Sequence, residues 1–136
     1  MRALDTNVLV RLLVGDNARM EREAQRCLDT TVDRGELLLV LDLVLIEILW
    51  VLRSMYGYSR VDILDAIERL TLMSAFKFES WHLVRDLIDL GRSTTTDLSD
   101  LLIGLVARRN GCVSTLTFDK KASRSDLFQL LGEENE

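Results

Sequence analysis

An α/β fold with a largely parallel sheet is what this sequence predicts, on three observations. Segments of strand length and composition, the apolar run Leu37–Leu41 and the β-branched Cys112–Thr117 above all, alternate with longer segments whose apolar residues recur at helical spacing. Leu37–Leu41 is continuously apolar, as in parallel strands buried on both faces. Glycines at Gly15, Gly35, Gly57 and Gly111 punctuate the pattern, while no proline, repeat or low-complexity stretch marks a linker. The 136 residues suit one domain, expected over 1–131, with a frayed tail at 132–136.

Taken in order, Arg2–Leu4 reads as a short strand ending in the cap-like turn Asp5-Thr6-Asn7. Val8–Val14 is a short helix stopped by Gly15, and Ala18–Asp33 is an exposed amphipathic helix closed by Gly35. Leu37–Leu41 is a buried strand, and Asp42 is placed to cap a helix over Leu43–Met55. Ser59 and Asp62 form a capping-box arrangement opening a helix through about Leu72. Phe76–Phe78 is a strand, followed by a helix over Trp81–Leu90 that Gly91 ends. Asp97 or Ser99 caps the apolar helix Leu101–Arg109. Cys112–Thr117 is a second buried strand and Leu127–Leu131 a last edge strand.

Composition narrows the function. Hydrophobic residues at 48% and charged residues at 29% describe a globular protein. No run reaches the roughly 18 uncharged residues a membrane span requires; Leu37–Leu52 comes nearest and is interrupted by Asp42 and Glu47. The N-terminus has no signal-peptide core, and Cys27 and Cys112 are too few for a disulfide framework or a thiolate zinc site, so a reducing cytoplasm is expected. A net charge of −5 and a pI near 4.9 argue against broad adhesion to long duplexes and favour a basic peptide partner. They do not exclude nucleic acid, because metal ions held by acids reverse the local field.

The sharpest signal is four carboxylates in or beside apolar runs: Asp5, Glu47, Asp100 and Asp119. Buried singly, each would be strongly destabilising; gathered on divalent cations, they would not be. The pattern points to a metal site, with phosphodiester hydrolysis its natural use. In a parallel sheet, ligands bind beyond the carboxyl ends of strands, and Asp5 and Asp119 each follow one. Each acid also has an ordinary reading. Asp5 can cap a helix, Glu47 can pair with Arg53 or another arginine, Asp97 can cap and favour the dipole of the helix carrying Asp100, and Asp119 can start a turn. Asn7 stands where a haloacid phosphatase needs a second aspartate, which removes that alternative. Gly104, one turn beyond Asp100, leaves room for close backbone approach. Lys120, Lys121 and Arg124 read as a solvated face, or as phosphate holders near a hydrolytic edge. Trp50, Trp81, Tyr56 and Tyr58 read as core or interface residues, and His82 as a helix residue without a catalytic role.

The segments ALDTNVLVRLLVGD, LVLIEILWVLRSMYGYSR, TDLSDLLIGLVARRNGC and TLTFDKKA, in that order and spacing, resemble the PIN-domain family, specifically its VapC-type toxins of bacterial toxin–antitoxin pairs. The resemblance spans most of the chain and is poorest in Ala18–Asp33 and around Thr71–Thr95. It implies a three-layer α/β/α sandwich with a central, mostly parallel sheet, and a Mg²⁺-dependent endoribonuclease with Mn²⁺ as possible substitute. It further implies inhibition by a cognate antitoxin and homodimerisation. The family's acids fall on Asp5, Glu47, Asp100 and Asp119, with Asp5 and Asp100 the direct metal ligands and Asp97 a further ligand or a cap. Gly104 stands where the family commonly has alanine. The alternatives are a catalytically inactive PIN-like interaction module and a phosphorelay receiver; the latter lacks an acidic pair before a phosphoacceptor aspartate.

Overall fold

Leucine-rich runs between turn glycines fold as the alternation predicts. The computed structural model describes residues 1–132, grouped in two compact units, 1–81 and 82 onward. The first unit contains β1 (Arg2–Ala3), α1 (Thr6–Val14), α2 (Ala18–Asp33), β2 (Leu38–Val40), α3 (Asp42–Ser54), α4 (Arg60–Thr71) and β3 (Phe76–Phe78). Its strands form a sheet in the order β1-β2-β3, with both pairs parallel: Ala3 lies beside Leu39, and Val40 beside Phe78. At its boundary begins α5 (Trp81–Ser93). The second unit continues with α6 (Leu98–Arg109), β4 (Thr115–Thr117), a 3₁₀ turn over Ala122–Arg124 and β5 (Phe128–Leu130), and β4 pairs parallel with β5. The α/β class with parallel strands is therefore correct.

Helix faces follow from spacing. In α2 only Ala24, Leu28 and Thr31 are buried, a single stripe at helical period. In α3 the buried stripe is Val44, Leu45, Ile48, Leu49 and Leu52, and each fully buried leucine or isoleucine contributes roughly 1.5–3 kcal/mol. The opposite face is not buried: Leu43 is 74% and Trp50 59% exposed. Trp50 is thus no core residue. Trp81 packs on Phe78 with ring centroids 5.9 Å apart, though it too is partly exposed.

α1 begins at Thr6 and α6 at Leu98, earlier than expected, and three further differences have a plain local cause. Gly91 does not end α5, which runs to Ser93 with Gly91 buried inside it. A glycine stops a helix by adopting positive φ, and Gly91 is not among the glycines that do. The strand expected from Cys112 begins only at Thr115. Gly111, at φ 85°, closes α6 by donating to the Arg108 carbonyl while the Cys112 N–H bonds the Ala107 carbonyl, so Cys112 belongs to the helix cap. The run beyond it is not buried either, since Val113 is 99% exposed. Asp42 is the first residue of α3 rather than its cap; Leu41 holds the cap position without a side-chain bond. Of the expected frayed tail, all but Gly132 lies outside the described residues.

Candidate active site

In the first unit Asp5 stands just past the carboxyl end of β1, and Glu47 lies on the helix that follows β2. The Leu4 N–H still bonds the Leu39 carbonyl, which extends the β1–β2 pairing up to Asp5. Asp5 then turns the chain into α1 as its N-cap, its Oδ1 accepting the Thr6 N–H at 2.8 Å. Thr6 is 7% exposed, and its hydroxyl donates to Glu47 Oε1 at 2.9 Å. One buried threonine thus ties the Asp5 cap to Glu47, in the second turn of α3. The second oxygen of Asp5 makes no hydrogen bond among the described residues.

Asp42 and Glu79 lie at the same strand ends and were not among the expected site residues. Glu79 Oε1 accepts the Asp42 N–H at 2.9 Å, doing the capping expected of Asp42 itself. The Ser80 hydroxyl donates to Asp42 Oδ2 at 2.9 Å, and the buried Asp42 Oδ1 has no hydrogen-bond partner among the described residues. Both acids were legible as carboxylates directly following predicted strands.

In the second unit, Asp97 is the N-cap of α6, its Oδ1 accepting from the Ser99 and Asp100 N–H groups at 3.0 and 3.2 Å. Asp100, in the first turn, is half-buried. Burial first, then the like charges of Asp97 and Asp119, raise its carboxyl above the usual carboxylate range. Asp119 Oδ1 accepts from the Lys121 and Ala122 N–H groups at 2.8 and 3.1 Å and so opens the 3₁₀ turn. The capping reading of Asp97 and the turn-starting reading of Asp119 therefore both hold, and Asp100 is the one of the three whose carboxylate is committed to neither role.

Deep burial of the four acids does not hold: Asp5, Glu47 and Asp119 are exposed and Asp100 intermediate. An apolar run placed them in a core, but the helical period turns Glu47 to the same open face of α3 as Leu43 and Trp50. Among the described residues, no group of three or more His, Cys, Asp and Glu side chains could hold a metal ion as it stands. The donor chemistry is nevertheless that of a hard cation: carboxylates without histidine or thiolate, one of them with its charge opposed by two like neighbours.

Comparison with known proteins supplies the family. The PIN domain model matches residues 2–126, a span that contains Asp5, Glu47, Asp97, Asp100 and Asp119. The chain is similar to a VapC ribonuclease of Aquifex aeolicus (strain VF5), with 26% identity over 121 residues covering 89% of both chains. With its parallel strands and strand-end acids inside the matched span, the chain belongs to the PIN domain family.

Proposed function

We propose that this chain is a metal-dependent endoribonuclease, the toxin of a toxin–antitoxin pair, using Asp5, Glu47, Asp100 and Asp119 on Mg²⁺, with Mn²⁺ as substitute. The observation that carries this reading is the similarity over 89% of both chains to a VapC ribonuclease, inside a family match that spans every one of these acids. Asp100 supports the metal, because a cation would relieve the charge that burial, Asp97 and Asp119 oppose.

Asp5 and Asp100 are the direct ligands in this reading, Glu47 and Asp119 complete the set, and Asp97 acts as the cap that orients Asp100. Bound there, the cation would supply charge relief at the phosphoryl oxygens and activation of water. Glu47, solvent-facing, has its carboxylate steered by the Thr6 hydroxyl. The Asp5 cap keeps its carboxylate at the strand end whatever the substrate does. A cognate antitoxin neutralises the enzyme, the active form is a homodimer, and the setting is the cytoplasm; among the described residues no helix is long and apolar enough to cross a membrane.

The test is purified protein on structured RNA with Mg²⁺, Mn²⁺ or EDTA, beside Asp5→Asn and Asp100→Asn. Cleavage that EDTA and either substitution abolish is expected, as is slowed growth on expression without an antitoxin. Equal cleavage by the Asp100→Asn protein would overturn the assignment.

A further inference from the structure

A cleft of about 480 Å³ in the second unit is lined by the end of α5 and the threonines after it, one face of α6, and residues 121–127. Its charged groups are Arg108, Lys121 and Arg124 against a single carboxylate, Asp126. This is a local excess of positive charge on a chain whose net charge is −5. None of the three cations makes an ion pair with a described residue. The Ser93 and Thr95 hydroxyls add uncharged donors to the lining.

Like charges around a concavity repel one another until an anion lies among them, and a cleft focuses their field on whatever enters. Two guanidinium groups, an ammonium and hydroxyls are the donor set that holds phosphate oxygens. The place of the cleft narrows the ligand. Leu101, on its wall, directly follows Asp100, and Lys121 donates its N–H to Asp119 at 2.8 Å. The lining thus continues along the chain into two of the proposed catalytic acids, neither of which is itself part of the wall. A free phosphate gains nothing from that neighbourhood, whereas a polymer whose next phosphodiester reaches the acids does.

We propose that this cleft is a subsite for the sugar–phosphate backbone of single-stranded RNA, with Arg108, Lys121 and Arg124 gripping phosphates beside the one to be cut. The proposal rests on the ribonuclease reading and adds to it a second place of contact with substrate.

The experiment measures binding without cleavage: fluorescence anisotropy of a labelled oligoribonucleotide, in EDTA, across a range of salt. The proteins are wild type, Arg108→Gln, Lys121→Gln, Arg124→Gln, the triple variant, and Arg22→Gln on α2 as a control, each checked for folding by circular dichroism. Each single change is expected to weaken binding several-fold and to lower the slope of log K against log salt by about 0.7, the triple by about 2. Arg22→Gln should match wild type, and Arg108→Lys should keep the slope. A triple variant that binds with wild-type affinity and slope overturns the subsite. Displacement of the RNA by AMP or inorganic phosphate at concentrations that saturate the site would overturn it in favour of a small-anion pocket. Equally effective displacement by polyglutamate would do so in favour of an acidic peptide. Cleavage in Mg²⁺, run in parallel, separates the two readings. Wild type that cleaves while the triple variant binds unchanged sinks the cleft alone, and wild type that neither binds nor cleaves sinks both.

Discussion

The Thr6 hydroxyl donates to Glu47 Oε1 at 2.9 Å, joining the first residue of α1 to the second turn of α3. Because the Thr6 N–H also serves Asp5, this one buried residue is bonded to both Asp5 and Glu47. Thr6→Val keeps the shape and removes the hydroxyl. Stability should fall by about 1 kcal/mol, and kcat by roughly ten- to a hundred-fold with KM for RNA little changed. Thr6→Ser should restore most of the rate. A normal kcat in a Thr6→Val protein that is measurably less stable would reduce Thr6 to a packing residue.

Asp100 has its carboxyl raised by burial and by Asp97 and Asp119, so the folded state holds that proton more tightly than the unfolded chain does. The folded chain is then penalised wherever Asp100 is ionised, and stability contributed by this group grows as pH falls through its raised pKa. Without metal, Asp100→Asn should melt above wild type at neutral pH, and the gap should close in acid. Added Mg²⁺ should stabilise wild type by mass action and leave Asp100→Asn nearly unmoved. Melting curves with and without EDTA decide this, and an Asp100→Asn protein that is less stable than wild type in EDTA contradicts it.

Gly104 admits no larger residue. A Cβ there would lie 2.8 Å from Leu127 Cβ and 3.1 Å from Phe128 Cε2. The first of these atoms is attached directly to the backbone, so it moves only if the chain entering β5 moves. Gly104→Ala gains about 1 kcal/mol of helix propensity and loses more through overpacking, for a net destabilisation of about 1–2 kcal/mol. Urea unfolding monitored by circular dichroism measures it.

Asp16 is held below the usual carboxylate range by the Tyr56 hydroxyl, which donates to it at 2.9 Å, and then by Arg11 at 2.8 Å. A depressed carboxylate contributes stability that is present at neutral pH and lost as pH falls through its folded-state pKa. Tyr56→Phe should move the Asp16 titration, followed by carboxyl-carbon NMR, up toward the ordinary value. Acid unfolding should then depend less on this group. An unmoved titration would show that Arg11 alone sets it.

Much of the fold could be read from the chain because its signals are local. The Ser59 cap accepts the Asp62 N–H as the capping pattern implies, and the bounds of α2 and β3 match their periodicity. Misreadings arose where a signal depends on geometry beyond its neighbours. Gly91 looks like any other helix-ending glycine until its φ is known. The 3.6-residue period of α3 leaves Glu47 outside even though every adjacent residue is apolar. The caps at Asp5 and Asp97 and the turn at Asp119 could be read from residue type and position, but the commitment of each carboxylate oxygen could not. Which oxygen is committed to a cap, and which carboxylate is opposed by its neighbours, follows from backbone N–H directions that composition does not carry.

The bond from the Asp42 N–H to Glu79 spans 37 residues. The most apolar helix of the first unit therefore gains its N-terminal acceptor only after β3 has been laid down beside β2. During synthesis, α3 emerges with its leucines in place and its first turn open, and it waits for the ribosome to deliver a carboxylate from the far side of α4. A fragment severed ahead of Glu79 would keep every residue of that helix and still leave its beginning unlatched.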